Sequence, residues 1–124
     1  MVTTARSVSR LASFGHALRG LRVLLRQPNA RIHVIAAVLV TAAGGWLHIS
    51  TGQWLAVVLA MAMVVGAEAM NTALELAVDL ASPEWHELAR DAKDVAAAAV
   101  LVCSAGACVV GLLVFGPAVL KLLQ

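Results

Sequence analysis

The chain has 124 residues, 61% of them hydrophobic and 13% charged, with a mean hydropathy of +0.90. Those values exclude an ordinary soluble globular domain and place residues 1–124 in the membrane class as one domain. The net charge is only +2, so no nucleic-acid partner is expected, but the positive charge is unevenly spread. Arg6, Arg10, Arg19, Arg22, Arg26 and Arg31 all precede the first long apolar run.

Residues 1–9 are rich in Ser and Thr, lack periodicity and are expected to be disordered. No signal peptide is expected, because no continuous apolar core leads to a small-residue cleavage site. Over residues 10–27 the pattern sharpens. Leu11, Phe14, Leu18, Leu21 and Leu25 recur at 3, 4, 3 and 4, while Arg19, Arg22 and Arg26 take the other face. This predicts a basic amphipathic helix lying in the headgroup layer. Pro28 ends or resets it.

Three spans are predicted, at 32–50, 53–81 and 95–120. The second and third comfortably exceed the roughly 20 residues that cross a bilayer. The first is short and needs His33 and His48 at headgroup level. The loop His48-Ile-Ser-Thr-Gly-Gln53 is uncharged and flanked by Trp46 and Trp54, as in an interfacial aromatic belt. The arginine excess puts the N-terminus in the cytoplasm, and Arg90 and Lys93 in the second connection agree. Cys103 and Cys108 are five residues apart, point in different directions on a helix and are read as packing residues.

The second span carries the chemistry. Glu68, Asn71, Glu75 and Asp79 are separated by 3, 4 and 4 residues, so on a period of about 3.6 they form one stripe. An ionisable residue near a bilayer centre costs about 2.5–3.5 kcal/mol on insertion scales, so a helix that merely spans would not carry several on one face. Emergence of the helix end into water suits Asp79, fits Glu75 poorly and suits Glu68 least. By this topology the stripe opens to the cytoplasm. Ser82-Pro83-Glu84 follows as a helix-start signal, with Ser as N-cap and Pro in the first turn. The helix so started is polar through Asp94 and then becomes the third span. On it His86, Arg90 and Lys93 share one stripe and Glu87, Asp91 and Asp94 the next, a pattern also met in solvated turns with intrahelical ion pairs. The third span's Ala and Gly residues favour close helix packing, and self-association is expected.

No phosphate-binding Gly-rich loop, dinucleotide fingerprint, zinc spacing or nucleophile elbow is present. What remains is carboxylates, a carboxamide and the Lys93–Asp94 pair at the membrane–cytosol boundary. Carboxylates hold Mg²⁺ together with substrate phosphates, a carboxylate beside a hydroxyl is a general base, and phosphoryl transfer needs little else. These residues permit a kinase acting on a membrane-dissolved alcohol. They equally permit a small proton- or cation-coupled carrier using Glu68 as its intramembrane acid.

The run Glu68-Ala-Met-Asn-Thr-Ala-Leu-Glu-Leu-Ala-Val-Asp79, then Glu84-Trp85-His86, then Ala92-Lys93-Asp94-Val-Ala-Ala-Ala-Ala-Val100, resembles the prokaryotic diacylglycerol kinase family, which includes undecaprenol kinases. The similarity extends from about Ser13 through Val102. It implies an all-α, three-span, homotrimeric membrane kinase with an N-terminal surface helix and composite sites between protomers. Such an enzyme transfers the γ-phosphate of Mg-ATP to a lipid hydroxyl at the cytoplasmic face of the bacterial inner membrane. The resemblance further implies Glu68 as general base and Glu75 as metal ligand at the nucleotide, supported by Asn71 and Asp79. Glu84, Trp85 and His86 match the family's nucleotide-contacting turn, Lys93 and Asp94 its nucleotide-binding pair, and His16 a position where a Tyr can meet the nucleotide. A second metal-ligating Glu is expected near the end of the surface helix, where this sequence has Gln27. The segment Asn29-Ala-Arg31-Ile-His33 resembles the undecaprenol kinase branch more than the diacylglycerol branch.

Overall fold

The computed structural model describes residues 10–122, so the expected disorder of residues 1–9 lies outside it. The described residues form four helices and no strand: α1 (Arg10–Leu24), α2 (Pro28–Trp46), α3 (Thr51–Ala81) and α4 (Glu87–Leu122). The all-helical class that the resemblance implies is observed.

The corner between α1 and α2 is a 101° bend. Gln27 is extended, φ −75° and ψ 130°, the conformation that a following proline imposes. Pro28 then occupies the first turn of α2, where its missing N–H costs nothing. The first helix therefore ends at Leu24, not at residue 27, and the second begins four residues earlier than the expected span. Arg31 reaches back across the corner. Its Nε donates to the Leu25 carbonyl at 2.8 Å and its Nη2 to the Arg26 carbonyl at 3.3 Å.

The turn after α2 takes residues 47–50 out of the span expected at 32–50. His48 adopts φ 50°, and the Ile49 N–H reaches the Gly44 carbonyl at 3.2 Å. A Cβ at Gly44 would lie 2.9 Å from the Trp54 ring and 3.0 Å from Ile49 Cδ1, so the start of α3 can approach only where residue 44 is glycine. Ser50 opens α3 with a reciprocal capping box. The Gln53 N–H donates to Ser50 Oγ at 3.3 Å and the Ser50 N–H to Gln53 Oε1 at 2.8 Å.

One expectation is corrected at the other end of α3. Ser82 does not cap a new helix; it terminates α3, its N–H donating to the Val78 carbonyl at 2.8 Å. Its hydroxyl is spent on the Glu84 carbonyl at 3.0 Å. Residues 82–86 are a connection, and α4 begins at Glu87. Its cap is His86, whose Nδ1 accepts the Leu88 N–H at 3.2 Å.

Helix α3 is the shared partner: α4, α2 and α1 all pack on it. The apolar core is thin, comprising Leu24, Ala30, Val57, Val64 and Val114, while large side chains such as Leu39, Leu59, Leu101 and Leu112 stay exposed. An apolar surface this extensive is covered by lipid or by other protein. Helices α3 and α4 are each long and apolar enough to cross a membrane; α2 meets that measure only together with α1, across the bend.

Candidate functional site

The four-residue stripe on α3 turns inward for most of its length. Glu68 is 3% exposed, Asn71 9% and the adjoining Thr72 5%; Glu75 is half-buried and Asp79 exposed. The stripe thus runs from the interior of the helix bundle to its surface along the one face that the 3–4–4 spacing defines. The other buried side chains of this helix are Val57 and Val64 before Glu68 and Asn71 and Thr72 after it.

Asn71 Nδ2 donates to Glu75 Oε1 at 2.9 Å. A carboxylate oxygen only accepts, so this bond fixes which way the carboxamide points. Asn71 Oδ1 is left buried and without a partner among the described residues. Both this oxygen and the Glu75 carboxylate are hard donors of the kind that suit Mg²⁺. Among the described residues no group of three His, Cys, Asp or Glu side chains converges as a metal cage.

Lys93, near the start of α4, pairs with Asp79 at the end of α3. The sequence reading set Lys93 beside Asp94; in the fold it reaches across to the stripe, and Asp94 stays exposed. Arg90 is used locally, on Asp91 at 2.8 Å and Glu87 at 3.7 Å, the intrahelical ion pairing that the spacing permits. Glu84, Trp85 and His86 are exposed on the connection, Trp85 at 79%. The His86 ring nitrogen is committed to capping α4. His16 is exposed on α1, its Nδ1 2.9 Å from Arg19 Nη2. Gln27 sits half-buried at the corner, and its side chain caps nothing. Cys103 and Cys108 are both free.

A cavity of about 320 Å³ lies between α2, α3 and α4. Val40, Val57, Val64 and Phe115 are among its walls, and His33, Met61, Ser104 and Cys108 are its side chains with heteroatoms. Its position relative to the stripe follows from helix register. Helices rise about 1.5 Å per residue, so equal counts from a contact in an antiparallel pair reach the same level. Glu68 is eleven residues before Asp79, and Ser104 is eleven after Lys93. Thr41 on α2 meets Met61 on α3; eight residues back and eight on lie His33 and Ala69. The His33–Ser104 end of the cavity is therefore level with Glu68.

A sequence model of the prokaryotic diacylglycerol kinase family matches residues 15–115. The chain is 39% identical over 106 residues to an undecaprenol kinase of Bacillus subtilis, covering 85% of this chain and 86% of the relative. It is 38% identical over 115 residues to a diacylglycerol kinase of Synechocystis, covering 91% of this chain and 66% of that protein. To the diacylglycerol kinase of Escherichia coli K12 it is 30% identical over 89 residues, covering 71% and 73%.

Proposed function

The chain belongs to the prokaryotic diacylglycerol kinase family and is a lipid kinase; from that premise we propose that it uses ATP and Mg²⁺ to phosphorylate a membrane alcohol at the α3 stripe. The acceptor is the hydroxyl of a diacylglycerol or of a polyprenol such as undecaprenol. The carrier reading of Glu68 gives way to the family membership. The observation that carries the proposal is the buried Glu68 carboxylate, in line with Asn71 and Glu75 and joined to a lysine through Asp79.

In this reading Glu68 takes the proton of the lipid hydroxyl as its oxygen attacks the γ-phosphorus of ATP. The new O–P bond forms, the bond from the γ-phosphorus to the bridging oxygen breaks, and ADP leaves. The proton remains on Glu68 until it passes to water. Lys93 lays positive charge against the phosphates where charge develops. Glu84, Trp85, His86 and Asp94 contact the nucleotide from the α3–α4 connection, and His16 from α1.

The oxygen donors fit a hard cation. Mg²⁺ is bound by one or two carboxylates plus water and substrate phosphates, not by an all-protein cage. Glu75 would hold it, with Gln27 turning its amide oxygen inward as a second ligand. Bound there, Mg²⁺ would neutralise charge on the β- and γ-phosphates.

The same reading makes the chain a three-span protein of the bacterial cytoplasmic membrane, N-terminus inside, assembled as a homotrimer. Exposed Phe14, Leu18 and Leu21 on α1 support a helix laid in the headgroup layer. The lipid chain lies in the α2–α3–α4 cavity, with its hydroxyl at Glu68.

The test is a detergent-micelle assay with labelled ATP, diacylglycerol and undecaprenol. The wild type is expected to label at least one lipid. Glu68→Gln is expected to lower kcat by about 10²–10⁴-fold with unchanged assembly on gel filtration. Near-normal turnover in that variant would overturn the assignment.

A further inference from the structure

We propose that Arg19, Arg22 and Arg26 form one face that binds the phosphate groups of anionic phospholipids in the membrane around the protein. The proposal goes beyond the kinase reading and uses only its placing of α1 in the headgroup layer.

Charge is divided along the chain. No Asp or Glu precedes Glu68, whereas six arginines do. The acids from Glu68 onward find their cations nearby: among the described residues the ion pairs are Lys93 with Asp79 and Arg90 with Glu87 and Asp91. Arg31 is spent on the carbonyls of Leu25 and Arg26. Arg19 meets the His16 ring at 2.9 Å. The side chains of Arg22 and Arg26 have no hydrogen-bond or ion-pair partner among the described residues. All three arginines of the face are exposed.

Helix geometry fixes where the face points. Leu24 is buried, so it marks the side of α1 that meets the bundle. At about 100° per residue, Arg19, Arg22 and Arg26 lie roughly 140–160° around the axis from Leu24. They are therefore turned away from the acids of α3 and α4. On the same count, exposed Phe14, Leu18 and Leu21 lie roughly 60–120° from Leu24, all on one flank. The 101° bend sets α1 across α2, so α1 can lie flat while α2 runs along the bundle. With the apolar flank sunk at the acyl boundary, the arginines stand at headgroup depth and reach outward over the surrounding lipid.

Charge complementarity selects the occupant. No lysine precedes Lys93, and the guanidinium fork matches phosphate oxygens in pairs. Membrane orientation asks only for positive charge beside the first span. It does not ask that the charges be arginine, share one face and point away from the rest of the chain. A lipid phosphate beside an apolar flank meets all three features.

The experiment places the full-length protein in phosphatidylcholine bilayers with a trace of spin-labelled phosphatidylglycerol or spin-labelled phosphatidylcholine. Electron paramagnetic resonance gives the fraction of each held at the protein. One basic residue at an anionic surface strengthens attraction about fivefold, so wild type is expected to hold phosphatidylglycerol at least about fivefold better. At about 1 M salt, where the screening length is about 3 Å, the preference should fall to within about twofold. The triple variant Arg19→Gln, Arg22→Gln, Arg26→Gln should lose the preference to the same extent. Lysine at the same three positions should keep most of it, and Arg90→Gln, which removes an arginine already paired with acids, should keep all of it. A wild type without the preference, a preference indifferent to salt, or a glutamine variant that retains it overturns the proposal. So does a lysine variant that behaves like the glutamine one, which marks a structural role. If the glutamine variant keeps the preference but changes the oligomer on gel filtration, the arginines meet acids of a second copy, and the proposal fails. No ATP or acceptor lipid is present, so loss of lipid preference and loss of kinase activity are separate results.

Discussion

Lys93 on α4 donates to Asp79 on α3 across fourteen positions of sequence, and this pair ties the last turn of one long helix to the first turns of the next. The connection between them, residues 82–86, has no regular structure of its own. The ion pair thus closes the polar end of the α3–α4 hairpin and brings a cation to the stripe that leads up to Glu68. With side chains 39% and 63% exposed, it contributes less than about 1 kcal/mol to stability. Its importance is where it puts the ammonium group.

Asp79→Asn is therefore expected to leave thermal stability in detergent nearly unchanged while raising the KM for ATP severalfold. Lys93→Met removes the charge itself, and loss of a charge-assisted contact of about 1.5–3 kcal/mol corresponds to a tenfold or larger rise. If Asp79 acts by aiming Lys93, the double variant is no worse than Lys93→Met alone. Additive losses would show that the two residues serve the nucleotide separately.

The Asn71–Glu75 bond makes a prediction about metal. Glu75→Gln is expected to raise the Mg²⁺ concentration for half-maximal rate, or to abolish activity. Asn71→Leu should shift it in the same direction by a smaller amount, because it frees the Glu75 carboxylate to turn away. Mn²⁺ binding followed by electron paramagnetic resonance gives a readout that does not depend on turnover. Equal Mn²⁺ affinity in wild type and Glu75→Gln would remove Glu75 from the metal site.

Adjacent glycines separate packing from propensity. A Cβ at Gly44 meets the Trp54 ring at 2.9 Å, whereas one at Gly45 meets nothing within 4 Å. Gly44→Ala is expected to destabilise by about 1–3 kcal/mol through overpacking at the α2–α3 turn. Gly45→Ala, one residue on in the same helix, is expected to stabilise by up to about 1 kcal/mol through helix propensity. Thermal melts of the two variants in one detergent check the opposite signs.

What was legible in the sequence were features whose period is shorter than a helix. The spacing of Glu68, Asn71 and Glu75 foretold their common inward face because it depends on backbone geometry alone. Pro28 foretold the corner for the same reason. Ser82-Pro83 misled because the local cap signal competes with the end of α3: the serine N–H bonds the Val78 carbonyl and its hydroxyl goes to the Glu84 carbonyl. His86 does the capping instead, a residue outside the usual N-cap set. The Asp79–Lys93 pair and the level shared by Glu68 and Ser104 depend on how two helices register, which no pattern within either helix encodes.

The corner between α1 and α2 has its own lock, and it can be opened selectively. The last carbonyls of a helix lack intrahelical donors and carry the negative end of its dipole. In α1 the two carbonyls just past its end, Leu25 and Arg26, are met by the forked guanidinium of Arg31 at 2.8 and 3.3 Å. The Arg31 N–H also reaches the Gln27 carbonyl at 3.2 Å, so the residue proposed as second metal ligand hangs on the same clasp. Arg31→Ala is expected to cost little global stability, since the contacts are exposed, but to release α1 from its fixed angle. Spin labels at Gly20 and Ala73, both outside the core, should then give a broadened distance distribution between α1 and α3. The Mg²⁺ requirement should rise in parallel. Arg31→Lys keeps the charge but presents a single ammonium that does not span both carbonyls, so an intermediate width is expected. A lysine variant indistinguishable from wild type would show that charge at the helix end suffices; an alanine variant as narrow as wild type would show that the bend is held by Gln27-Pro28 alone.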